Sequence, residues 1–130
     1  MSLIGFKSPR IVSEWANQTD ERLKIILRAM SVFMGGLRIT CLVRTPEENM
    51  GMGGVPNSKH LPDPVTGLCC AADLNPSYDE KNLEYWRERF RGYIKQHFVG
   101  IDVVIHEGTK THVHLEIDTL NIPDSSIRLI

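Results

Sequence analysis

The chain has 130 residues, 42% hydrophobic and 24% charged, which excludes a disordered polymer and leaves room for one domain, 1–130, rather than two. Fifteen Lys+Arg against sixteen Asp+Glu give a formal charge of −1, without the basic surplus that binding to nucleic acid or an anionic membrane draws on. Three cysteines, an odd count with Cys69 and Cys70 adjacent, do not make a disulfide framework. The first ten residues hold no apolar stretch of signal-peptide length. The most apolar stretch, Met30 to Val43, is broken by Gly35, Gly36 and Arg38 and is too short to span a bilayer. The expectation is cytoplasmic synthesis and folding in a reducing compartment, with no membrane partner.

Thr19, Asp20 and Glu21 start the first predicted helix, with acids where the helix dipole favours them. Leu23, Ile26, Leu27, Met30 and Phe33 then recur at helical spacing, and Gly35-Gly36 ends the run. Trp15, ahead of this helix, is a candidate lid. Leu37, Ile39, Cys41 and Val43 alternate with Arg38, Thr40, Leu42 and Arg44, the pattern of a half-buried strand ending on an arginine. Thr45 to Val65, rich in glycine and proline, reads as a loop of about twenty residues, a length that in a small domain often carries function. Leu68 to Leu74 is apolar up to Asp73 and predicts a short buried strand.

Ser77 and Glu80 form a capping-box signature. The helix it opens puts Leu83, Trp86, Phe90, Ile94 and His97 on one stripe and Glu84, Arg87, Glu88, Arg91 and Lys95 on a solvated face, with Gly100 as its stop. Ile101, Val103 and Ile105 alternate with Asp102, Val104 and His106. Glu107-Gly108-Thr109-Lys110 then turns the chain into Thr111 to Asp118, where Val113, Leu115 and Ile117 oppose His112, His114, Glu116 and Asp118. The order helix, strand, loop, strand, helix, hairpin predicts an α+β fold with a largely antiparallel sheet and two main helices.

His112 and His114 project the same way from one strand, their Cα atoms roughly 6.5–7 Å apart. At that separation one imidazole can bind a metal while the other reaches a water or substrate beside it. Glu116 and Asp118 extend the row and are placed to fix a ring tautomer. The plainer role for the pair is an exposed polar strand face. His60 in the loop and Asp73 at the end of an apolar run are also unremarkable singly. With His114 they offer two imidazoles and one carboxylate, the donor mix of a catalytic Zn²⁺ with a position open to water. Such a water becomes a nucleophile near neutral pH, and the ion polarises a scissile carbonyl.

These residues give the sequence a resemblance to the zinc peptidases of the lysostaphin / D-Ala-D-Ala metallopeptidase / hedgehog superfamily, in particular the phage-type peptidoglycan peptidases. Ser58, His60, Ala71 and Asp73 match the family motif Ser-x-His-x-x-Gly-x-Ala-x-Asp, and His112-Val113-His114 its later His-x-His. Upstream, Leu37 to Thr40, Val43-Arg44-Thr45, Asn49 and Gly53 to His60 look like the family's strand–Arg–loop–His stretch. The resemblance covers roughly Leu23 to Asp118.

It implies a hedgehog/D-Ala-D-Ala metallopeptidase-like fold and a zinc-dependent carboxypeptidase or endopeptidase acting on peptidoglycan peptides, phage-encoded and released to the cell wall. The zinc ligands would be His60, Asp73 and His114. His112 would be the base, and Arg44 would hold substrate or the developing oxyanion, its plainer role being a strand-end salt bridge. Ser58 would stabilise the loop, with Glu116 and Glu107 as alternative bases.

Two departures stand out: Asp73 follows His60 by thirteen positions, six more than the motif, and Thr111 occupies a place where many phage-type relatives carry a glutamate base. They keep open a catalytically inactive metal- or cell-wall-binding module of the same fold. Cys69 or Cys70 is a conceivable thiolate ligand beside its plainer role in a core strand, and His97 and His106 read as structural. A His-hydrophobic-His enzyme nicking DNA through Tyr85 or Tyr93 is a third reading, disfavoured by the charge and by leaving His60 and Asp73 unused.

Overall fold

The apolar stripes of the sequence close over one mixed sheet. The computed structural model describes residues 3–54, 56–77, 82–98, 102–105, 111–118 and 127–129. In chain order these form β1 (Ile4–Phe6), α1 (Pro9–Asn17), α2 (Glu21–Met34), β2 (Leu37–Cys41), α3 (Pro46–Gly51), β3 (Ala71–Pro76), α4 (Leu83–His97), β4 (Asp102–Ile105), β5 (Val113–Asp118) and β6 (Ile127–Leu129). The strands lie in the order β1-β2-β3-β5-β4-β6. The inner pairings are antiparallel, while β1 and β6 join the two edges in parallel. The α+β class stands, with a mixed sheet and four helices among the described residues where two main helices were expected.

α2 starts one residue later than Thr19: the Asp20 side chain accepts from the Arg22 N–H, and Gly35 at φ 74° closes the helix in the left-handed region glycine favours. Thr19 instead donates its hydroxyl to the Glu14 carbonyl at 2.8 Å. Leu23, Ile26, Leu27 and Met30 are fully buried, each contributing roughly 1.5–3 kcal/mol by leaving water. They meet Leu37, Ile39, Leu74, Val113, Leu115 and Ile117 of the sheet and Phe90 and Ile94 of α4 in one core.

α1 and β1 have no counterpart in the sequence reading. The helix is short, capped by Ser8 with Pro9 in its first turn, and buries only Ile11 and Glu14, too little periodicity to register. Trp15 lies within α1, edge-on to Phe6 and beneath the Arg28 guanidinium, so it is a packing residue rather than a lid. Within the predicted long loop, Thr45 and Glu48 form a capping box that starts α3. α4 begins at Leu83 behind Asn82, which makes no side-chain cap bond, so the box expected at Ser77 does not open it. Glu80, Gly100, His106 and Glu107-Gly108-Thr109-Lys110 lie outside the described residues.

β2 carries the irregularity that matters most for the site. Its register to β3 shifts between Ile39 and Cys41. A bulge moves every later side chain to the other face, so Cys41 leaves the core stripe and Leu42 enters it, fully buried. Among the described residues no helix is long and apolar enough to cross a membrane.

Candidate metal centre

Asp73 is the cross-strand partner of Cys41 on β2 and of His114 on β5. Side chains alternate along a strand, so this row faces away from the core row Ile39, Leu74 and Val113 beside it. His60 comes to the same face from the loop before β3. Its N–H donates to Ser58 Oγ at 3.2 Å, its carbonyl accepts from the Arg44 N–H at 3.0 Å, and the preceding Lys59 carbonyl accepts from the Cys70 N–H at 3.1 Å. Ser58 is thus a loop-stabilising residue.

The surplus residues between His60 and Asp73 do not separate them. The Asp63 carboxylate accepts from the N–H groups of Val65 and Thr66. The Asp63 carbonyl accepts from Gly67, which has φ 73°, and the Asp63 N–H returns to the Leu68 carbonyl. The segment closes on itself as a turn, with Val65 91% exposed at its tip.

Three donor atoms converge. His60 Nε2 lies 3.1 Å from Asp73 Oδ1, His114 Nδ1 lies 2.9 Å from the same oxygen, and the two nitrogens are 3.3 Å apart. Two donors held 2.0–2.1 Å from one ion at a tetrahedral angle stand about 3.3–3.4 Å apart. The residues present therefore fit a small ion with N and O ligands.

The remaining ring nitrogens are tied back. His60 Nδ1 donates to the Leu42 carbonyl at 2.6 Å, and His114 Nε2 lies 3.0 Å from Glu116 Oε1. Such outer partners fix which nitrogen faces the metal. The first bond needs Leu42 turned inward, so the β2 bulge orients His60 as well.

Electrostatics follow from crowding these groups. Burial alone pushes the His60 imidazole down, but Asp73, with smaller contributions from Cys41 and Cys69, holds its pKa well above the usual histidine value. Burial likewise opposes protonation of His114, and its bonds to Asp73 and Glu116 outweigh it. Burial pushes the Asp73 carboxyl up, yet His114 and His60 bring it far below the usual carboxylate range. His112 goes the other way: partial burial, only partly opposed by Asp73, lowers its pKa, and the nearby cations add to the effect.

His112 Nε2 is 3.6 Å from Asp73 Oδ1, beyond hydrogen-bond distance, while its Nδ1 is 3.0 Å from Thr111 Oγ1. Its side chain is 29% exposed against 0% for His60, so the centre opens to solvent on the His112 side. Arg44 Nη2 lies 3.4 Å from Asp73 Oδ2, and its Nη1 lies 3.4 Å from the Oδ1 of buried Asn49. Asn49 is wedged against Gly54, where a Cβ would fall 2.0 Å from Asn49 Oδ1. A glycine is needed there to leave the Asn49–Arg44 contact in place. Arg10 braces the same region, bonding Glu14, Glu48 and the Val43 carbonyl.

His60, Asp73, His114, His112, Arg44, Ser58 and Glu116 thus come together, and Glu107 lies outside the described residues. Cys69 and Cys70 are buried free thiols, Cys69 donating to the Leu42 carbonyl at 3.0 Å. Cys41 is the residue the sequence reading did not place here. Its Sγ is 3.8 Å from His60 Nδ1, and Cys41, His60 and Asp73 offer donor atoms within 4.8 Å of one another. Asn49 was known only as part of a motif, and its contact with Arg44 depends on the fold of α3. Comparison with protein-family models, with curated proteins and with solved structures gives no match for this chain.

Proposed function

We propose that this chain is a zinc-dependent peptidase that cleaves peptidoglycan peptides. The observation that carries the reading is the triangle of His60 Nε2, Asp73 Oδ1 and His114 Nδ1, with a further imidazole, His112, on its open side. His60, Asp73 and His114 would hold the ion, and Glu116 would orient His114. When bound, zinc supplies Lewis-acid polarisation of a carbonyl and a water acidic enough to ionise near neutral pH. His112, held neutral by partial burial, can accept at Nε2 the proton of an attacking water. Arg44 already spans Asp73 and Asn49 and carries the positive charge that a developing oxyanion requires. The substrate class rests on the resemblance carried by Ser58, His60, Ala71, Asp73 and the His112–His114 pair.

Purified protein should contain one zinc per chain, lost in His60→Ala and His114→Ala, and should release new amino groups from purified cell walls. Metal-free protein that stays folded and takes up no added zinc would overturn the reading. Wall binding without cleavage of any peptide linkage would favour the inactive module.

One observation favours that second reading, the approach of Cys41. A thiolate as fourth protein ligand would close the site, as in structural zinc centres. The sulfur lies, however, by His60 Nδ1, whose proton is committed to the Leu42 carbonyl, while Nε2 makes the triangle. Cys41→Ser should therefore leave zinc content and turnover intact; loss of zinc in that variant would support the closed centre.

A further inference from the structure

α4 carries one charged residue that does not behave as its helix predicts. Glu84, Glu88 and Arg91 have side chains 71%, 56% and 43% exposed, but that of Arg87 is 1% exposed. It is the largest fully buried side chain of the described residues. Taking a guanidinium out of water is costly unless its N–H groups find acceptors. Arg87 Nη1 pairs with Glu84, and Nη2 donates to the main-chain carbonyl of His112 at 3.1 Å.

The second bond falls at the start of β5. β5 starts at Val113, and its last registered pairs toward this end are Leu74↔Val113 on one side and Ile105↔Leu115 on the other. His112 is the next residue, just before the pairs seen among the described residues, and its ring stands beside Asp73. A planar guanidinium, rigid and permanently charged, is suited to fixing a carbonyl at such a point. We propose that Arg87 is a positioning residue: it anchors the backbone of His112 from α4 and so holds His112 Nε2 at the open side of the centre. This rests on the reading of the centre as catalytic, but the anchoring can be measured without turnover.

The test compares Arg87→Met and Arg87→Lys with the unaltered protein, both zinc-loaded on cell-wall peptide and metal-free by NMR of the histidine rings. Arg87→Met should bind one zinc and lose about 10- to 100-fold in kcat, within what a positioned base contributes. Its KM should stay within about threefold, the split that separates transition-state from ground-state effects. Arg87→Lys keeps an N–H donor on a similar stem and should recover most of the loss. In the metal-free spectra the His112 ring signals should move in Arg87→Met while those of His60 and His114 stay. Unchanged kcat, a loss that follows zinc content, or equal movement of all three rings would overturn the proposal. If Arg87→Met does not fold, Arg87→Gln, with one amide donor, is read the same way. An inactive unaltered protein would remove the peptidase reading, and the ring signals would still decide whether Arg87 holds His112.

Discussion

Asp73→Ala should abolish zinc uptake and lose about 3 kcal/mol of stability in the zinc-free protein, the lower end of the cost of breaking a buried ion pair. The side chain is 4% exposed and meets His60, His114 and Arg44 at once. Without it, three cationic or protonatable groups face each other behind the sheet. The loss stays at the low end because His60 and His114 can shed their protons, leaving Arg44 as the only fixed charge. Asp73→Asn keeps the shape and some of the hydrogen bonds, so it should cost less stability while still weakening zinc. Urea unfolding in the presence of a chelator, with zinc content measured separately, separates the two effects. A zinc-free Asp73→Ala protein as stable as the unaltered one would show that the cluster contributes nothing to folding.

The same coupling gives stability a pH window. In the metal-free cluster the His60 pKa is raised, so its contribution is fully present below the unfolded value of about 6.5 and fades as pH rises through the folded value. The Asp73 pKa is depressed, so its contribution is present above about 3.9 and is lost as pH falls through its folded value. Zinc-free protein should be most stable in the mildly acidic range between these limits. His60 Nε2 and His114 Nδ1 would have to give up their protons to hold an ion, about two per zinc when both rings are charged. Titration calorimetry in buffers of different ionisation enthalpy should read that release. Zinc uptake without proton release would mean that the rings are neutral beforehand.

Why so much of this centre could be read from the sequence has a physical answer. The period of a β-strand fixes which side chains share a face, so His112, His114 and Glu116 were placed together by alternation alone, and Val113, Leu115 and Ile117 are indeed buried opposite them. α2 was legible because its apolar stripe and its closing glycine agree. The bulge in β2 was not, because one added residue leaves the hydrophobic pattern looking regular while reversing its faces. Cys41 was therefore assigned to the core and Leu42 to the exposed side. Arg87 was misplaced for a related reason: helical spacing puts it beside the solvated residues, and a tertiary acceptor such as the His112 carbonyl, which helps make its burial tolerable, does not show in that spacing. β6 adds parallel pairing at an edge, which three residues of local sequence cannot announce.

His112→Ala should keep its zinc and its fold and lose about 10²–10⁴ in kcat, the contribution of a positioned general base. Retention of zinc follows from geometry: the ring stands outside the triangle, 3.6 Å from Asp73 Oδ1, and is partly exposed. The activity loss follows from the lack of a substitute among the described residues. Glu116 is engaged with His114 Nε2, and Thr111 offers a hydroxyl already within 3.0 Å of His112 Nδ1. When His112 Nδ1–H donates to that hydroxyl, Nε2 keeps its lone pair toward the centre, the state a base requires. Glu116→Gln should behave differently, weakening zinc affinity about 10- to 100-fold as loss of an outer carboxylate does, with kcat recovered at saturating metal. Parallel measurement of zinc affinity and saturated kcat in the two variants distinguishes base from orienter. If Glu116→Gln loses kcat at full zinc occupancy while His112→Ala does not, the roles of the two residues are exchanged.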